Sequence, residues 1–80
     1  MTNSLIKQYS KEPNEKQKEA LTRAFKVLAL YHLLAGDTVT IRTTNYYNDT
    51  SLLASLIVND CVVCSRKVGV NGGLVILGGE

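Results

Sequence analysis

The sequence predicts an α+β fold: one long N-terminal amphipathic helix packed on a small antiparallel sheet that ends in a C-terminal β-hairpin. Three observations carry this. Apolar residues recur at three- and four-residue spacing from Leu21 to Ala35, the period of one helical face. Residues 37–44 alternate, with Val39 and Ile41 on one side and Thr38, Thr40 and Arg42 on the other, as in a half-buried strand. Two apolar runs near 61–69 and 73–78 flank Asn71-Gly72, a strong short-range hairpin signal.

Taken in order, residues 1–12 are polar apart from Leu5, Ile6 and Tyr9 and read as a loosely ordered, flexible arm. The single domain then spans 13–80. Pro13 suits a first helical turn, where its missing N–H is not needed. The helix is expected over 13–35, and Gly36 supplies the left-handed residue that stops it. From Val27 to Leu34 the helix is apolar nearly all round, so its second half needs covering on more than one side. Asn45-Tyr-Tyr-Asn-Asp49 is a loop. Residues 50–58 read as a short helix, with Leu52, Leu53, Leu56 and Ile57 as its inner face. The alternating set Leu52, Ala54, Leu56 and Val58 fits a strand instead. That version gives a helix plus a four-stranded antiparallel meander, with turns at 47–49, 59–60 and 71–72.

Composition bounds the partners. Eighty residues with a 45% apolar fraction make one globular domain, small enough to gain stability from a partner or a second copy. The formal charge of +2 is too weak to demand nucleic acid. The stretch Met1–Ser10 lacks the apolar core of a leader, and no run reaches ~18 apolar residues. Two cysteines without such a leader point to a reducing compartment, so the chain reads as cytoplasmic with no membrane partner.

No side-chain constellation asks for catalysis. Cys61 and Cys64 provide two ligands where a structural zinc needs four, and they read as small buried apolar residues. On a regular strand they would point to opposite faces. His32, the one histidine, lies on the core helix and reads as a satisfied core or interface residue. The carboxylates Asp37, Asp49, Asp60 and Glu80 sit at element ends, as turn formers do. Gly69-Val-Asn-Gly-Gly73 has the glycines of a phosphate loop without the following helix. Nothing calls for a cofactor or metal.

The run from Ser51 to Leu77 resembles the second half of a winged helix-turn-helix domain, in element order α-β-α-β-β. The resemblance implies a recognition helix at 50–58, a wing at the hairpin and a DNA-binding regulator. The helix it requires carries no Arg, Lys, Asn or Gln to read bases, and Arg66 and Lys67 alone would hold phosphate weakly at physiological salt.

Arg42-Thr-Thr-Asn-Tyr-Tyr-Asn-Asp49 has the composition of adaptable contact surfaces. Tyrosine adds area at low entropic cost, and Asn and Thr add hydrogen bonds; Arg and Tyr are enriched at binding hot spots. The expected contact set is Arg42, Asn45, Tyr46, Tyr47, Arg66 and Lys67. The leading expectation is therefore a small non-catalytic binding protein. Inhibitors of the phage or mobile-element kind, which occupy or sequester a target, have this character. The partner is another protein, or the chain itself as a homodimer or higher oligomer through its excess apolar surface, for instance by pairing strand 74–77. A variant takes a small anionic nucleotide, with tyrosines stacking the base and Arg66 and Lys67 holding phosphate.

Overall fold

The computed structural model describes residues 4–46 and 50–77. Strand β1 (Ser4–Tyr9) comes first, followed by helix α1 (Glu15–Leu34). Then come β2 (Thr38–Asn45), β3 (Leu52–Val58), β4 (Cys61–Val68) and β5 (Leu74–Leu77). The five strands form one mixed sheet in the order β1-β2-β3-β4-β5. β1 runs parallel to β2, and the other neighbours are antiparallel.

The α+β expectation holds, and the antiparallel meander is present as β2–β5. Three finer expectations do not hold. Residues 4–9 are not a loose arm: Ser4 to Tyr9 pair with Thr38 to Thr43 in parallel register. A parallel pair needs a long crossover, and α1 is that crossover; nothing local in the sequence announces such a distant partner. Residues 50–58 are not a short helix: β3 is the central strand, with Leu52, Ala54, Leu56 and Val58 buried under the helix. All its residues but Ser55 are apolar, which is why its doublets imitate a helix period. The winged-helix order fails with it, because the would-be recognition helix lies between β2 and β4 in the sheet.

The helix ends follow local chemistry. Asn14 is the N-cap: its Oδ1 accepts from the Gln17 N–H at 2.8 Å, and Gln17 Oε1 accepts from the Asn14 N–H at 2.9 Å. This reciprocal pair is a capping box. At the other end the Gly36 N–H donates to the Leu33 carbonyl at 3.0 Å and the Asp37 N–H to the His32 carbonyl at 2.9 Å. That is a Schellman motif, with Gly36 at φ +91° as the left-handed residue.

α1 packs on β2, β3 and β4. Ala20, Leu21, Phe25 and Ala29 meet Val39, Leu52, Ala54, Leu56, Val58 and Val68 in one core. The two alanines let the helix axis approach the sheet, and fully burying Phe25 is worth about 2–3 kcal/mol. Thr43 is the polar member of this layer, and its hydroxyl donates to the Lys11 carbonyl at 2.7 Å.

Two tight connections set the register of the meander. Asn59 and Asp60, at φ 50° and 69°, make a two-residue turn between β3 and β4, the primed geometry that matches strand twist. Between β4 and β5 the Gly72 N–H donates to the Gly69 carbonyl and the Gly69 N–H to the Gly73 carbonyl, both at 2.8 Å. Gly72 takes φ +91°, completing a three-residue hairpin loop with a glycine bulge.

Candidate functional site

Only one helix exists among the described residues, so only one side of the sheet is roofed by it. No described element covers the other side. Strand alternation decides which side chains stand there. Val39, Leu52, Ala54, Leu56 and Val68 point to the helix, so their sequence neighbours point away. Register aligns these into rows. One row runs Gln8, Arg42, Ser55, Ser65 and Leu77; a second runs Ile6, Thr40, Ile57 and Val62; a third runs Thr44, Leu53, Lys67 and Val75.

The middle of this open face is polar. Ser55 and Ser65 hydroxyls lie 3.2 Å apart. Beside them the Arg42 Nε donates to Gln8 Oε1 at 3.4 Å, a long contact that leaves the exposed guanidinium largely to solvent. Lys67 Nζ stands 4.9 Å from the ring centroid of Tyr46, within cation–π range. Tyr46 itself follows β2, and its N–H donates to the Ser51 carbonyl at 3.3 Å. The charged side chains among the described residues of this face, Arg42 and Lys67, are both cations.

The contact set expected from the sequence is thus divided. Arg42, Tyr46 and Lys67 share the open face. Asn45 pairs with Leu52 and Arg66 with Ala54, so both stand on the helix-facing side. There the Arg66 Nη1 donates to the Ser65 carbonyl at 2.9 Å. Tyr47 lies outside the described residues. Arg66 and Lys67, neighbours in sequence, cannot act on one ligand face, because adjacent strand residues point opposite ways. The residues that sequence reasoning missed are Gln8, Leu53, Ser55 and Ser65. For Leu53 and Ser55 the signal was the alternating set Leu52, Ala54, Leu56 and Val58, which a helical reading conceals; Gln8 and Ser65 join the face only through strand register.

A concavity of about 500 Å³ lies on the other side of the sheet, between β1 and α1. Leu5, Leu21, Phe25, Ala29 and Ile41 line it together with Lys7, Lys18 and Lys26. Tyr9 also borders it, and burial, reinforced by the charge of Glu12, pushes its hydroxyl above the ordinary tyrosine value.

The cysteines differ from expectation. Cys61 is exposed and Cys64 half-buried, both as free thiols. A bulge shifts the β3–β4 register between Leu56 and Ile57, so Cys61 pairs with Val58 and Cys64 with Leu56. Both partners face the core, so the extra residue puts the two thiols on one side of the sheet instead of on opposite sides. His32 is half-buried, and its Nδ1 lies 3.1 Å from Asp37 Oδ2. Hydrogen bonds from Asn59 and then His32 hold the Asp37 carboxyl below the usual carboxylate range. Asn59 Nδ2 donates to Asp37 Oδ1 at 3.0 Å, and Asn59 Oδ1 accepts from the Thr38 N–H at 3.0 Å. These groups lock the helix end to the β3–β4 turn. Among the described residues no three His, Cys, Asp or Glu side chains gather as a metal would require. No described helix is long and apolar enough to cross a membrane.

No family model, no curated protein and no solved structure matches this chain.

Proposed function

We propose that this chain is a small non-catalytic binding protein whose open sheet face takes the acidic surface of a partner protein. The observation that carries the reading is the grouping of Arg42, Tyr46 and Lys67 on the side the helix leaves bare, with no described carboxylate among them. Cations beside an aromatic ring, flanked by the hydroxyls of Thr40 and Thr44, suit a polar, negatively charged epitope. Acidic side chains would meet Arg42 and Lys67, and Leu53 and Tyr46 would supply apolar contact. Inhibition or sequestration of a target by surface occupation follows from the same chemistry, since binding alone performs it.

The test is a charge reversal on this face. Arg42→Glu/Lys67→Glu changes two positions on the unroofed side of the sheet, so its far-UV circular dichroism should match the wild type. A partner captured from an extract and then titrated as purified protein should bind the double variant at least about tenfold more weakly, a loss of ~1.4 kcal/mol. Equal affinity for both proteins refutes the site. A single-stranded oligonucleotide titrated in parallel distinguishes the nucleic-acid reading. Affinity for it falling with salt at a log–log slope steeper than about −2 would exceed what these two cations can neutralise and would overturn the proposal.

A further inference from the structure

We infer that the outer face of the C-terminal half of α1 is the seam of a homodimer, packed antiparallel against the same face of a second copy of this chain. This rests on the helix alone and not on the reading of the sheet face.

The solvent side of α1 changes character midway. Lys16, Glu19, Arg23 and Lys26 make its first part charged and exposed. Beyond them Val27 is 78% exposed, Leu30 50%, Tyr31 67% and Leu34 74%. These four form one stripe, at the three- and four-residue spacing of neighbours on a helix, over about 10 Å of axis. Val27, Tyr31 and Leu34 lie away from the side that packs on the sheet, and Leu30 stays half exposed at the rim of the concavity between β1 and α1. Together they present roughly 500 Å² of apolar-rich surface, at the size where exposed patches on a small protein mark an interaction site. The Tyr31 ring is already held edge-on to His32, with centroids 5.1 Å apart.

The stripe is complementary to itself. A two-fold axis between positions 30 and 31 sets Val27 against Leu34 of the second copy and Leu30 against Tyr31 of the second copy. All four apolar residues then meet apolar residues. The same axis sets Lys26 of each chain against Ala35, the C-cap of the other helix, and Arg23 just beyond that end. That end carries the negative pole of the helix dipole, and Asp37 follows it directly. Parallel alignment would instead place Arg23 and Lys26 beside their own copies. An isologous interface demands this self-matching order; an unrelated partner does not. Two such patches with their flanking side chains bury about 1,000 Å² in total, the lower bound for a specific interface. A micromolar dissociation constant is the expected consequence. With helices joined at the seam, the two open sheet faces look outward on opposite sides of the assembly.

Sedimentation velocity and light scattering of the full chain across about 5–500 µM test this. The mass should rise with concentration from the 8.8 kDa of one chain toward twice that value. Val27→Glu and Leu34→Lys should each weaken association at least tenfold while keeping the wild-type circular dichroism spectrum, because both side chains are mostly in solvent. An equimolar mixture of the two variants should associate again. The carboxylate introduced at position 27 of one chain would face the ammonium introduced at position 34 of the other only in the antiparallel arrangement. A wild-type chain that stays monomeric at 500 µM overturns the inference and leaves the stripe to a different protein. A dimer indifferent to both substitutions overturns it in favour of another surface, such as the β5 edge. Failure of the mixture to recover association overturns the antiparallel seam.

Discussion

Asn14 and Gln17 join the start of α1 to the C-terminal hairpin, and substituting them separates capping from tertiary anchoring. Asn14 Oδ1 caps the Gln17 N–H at 2.8 Å, and its Nδ2 donates to the Val70 carbonyl at 3.0 Å. Gln17 is buried, receives the Asn14 N–H and donates through Nε2 to the Val68 carbonyl at 3.4 Å. Asn14→Ala removes the cap, about 1 kcal/mol, and an exposed hydrogen bond worth a few tenths more. Asn14→Ser restores a capping hydroxyl and loses only the Val70 contact, so it should lie within about 0.5 kcal/mol of the wild type. Gln17→Ala removes two partners at a buried site, about 1–3 kcal/mol, and one buried methylene, Cγ, at ~0.8 kcal/mol. The sum is about 2–4 kcal/mol. A domain of this size holds only about 4–12 kcal/mol in total, so Gln17→Ala should leave a large unfolded fraction in mild denaturant. Gln17→Met, which keeps the volume and drops the hydrogen bonds, should fall between. Urea melts followed by circular dichroism at 222 nm measure all four. Gln17→Ala less harmful than Asn14→Ala, or Asn14→Ser as harmful as Asn14→Ala, would refute the reasoning.

Two further outcomes follow from the turns. Gly36 and Gly72 share φ +91°, but an added Cβ has open space at Gly36 and meets the Lys16 carbonyl oxygen at 3.2 Å at Gly72; Gly36→Ala should therefore cost about 1 kcal/mol, and Gly72→Ala clearly more, in the same urea melts. The folded Asp37 carboxyl sits below its ordinary value, so the stability it contributes is present above about pH 4 and is lost as pH falls through the lower folded value. Between pH 6 and pH 2 the urea midpoint of Asp37→Asn should fall less steeply than that of the wild type, and parallel curves would remove Asp37 from the account.

The elements written in local chemistry are legible from the sequence alone. The pattern places a helix over 13–35 and α1 lies at Glu15–Leu34, because Pro13 and Gly36 mark its ends by chemistry that acts within one turn. The hairpin and the Asn59-Asp60 turn are legible for the same reason. β1 is not, because its apolar content is low and its partner strand begins beyond a 20-residue helix. β3 is ambiguous because its residues on both sides are apolar apart from Ser55, so its alternating burial is masked in the sequence. The site suffers from the β3 error. Once 50–58 is a strand, register sends Lys67 and Arg42 to one face and Arg66 and Asn45 to the other, a distinction invisible while the segment is read as a helix.

The second half of the helix carries more apolar surface than its own sheet can cover, and the geometry explains why. Strands repeat about every 4.8 Å, so five of them span about 20 Å or more, whereas a helix with side chains is about 10–12 Å wide. One helix roofs the three middle strands and leaves the outer two beside it, which matches its packing on β2, β3 and β4. The helix-facing side chains of the edge strands, Leu5 on β1 and Ile76 on β5, therefore remain exposed. Lengthening the apolar stripe of α1 could not cover them, because the helix is limited by width and not by content. The apolar residues Val27, Tyr31 and Leu34 stand mostly in solvent away from the sheet, so a stabilising contribution from them requires a second surface above. A domain held by one thin roof gains most from such a contact, since packing a second helix onto the first stiffens the element on which the whole core depends.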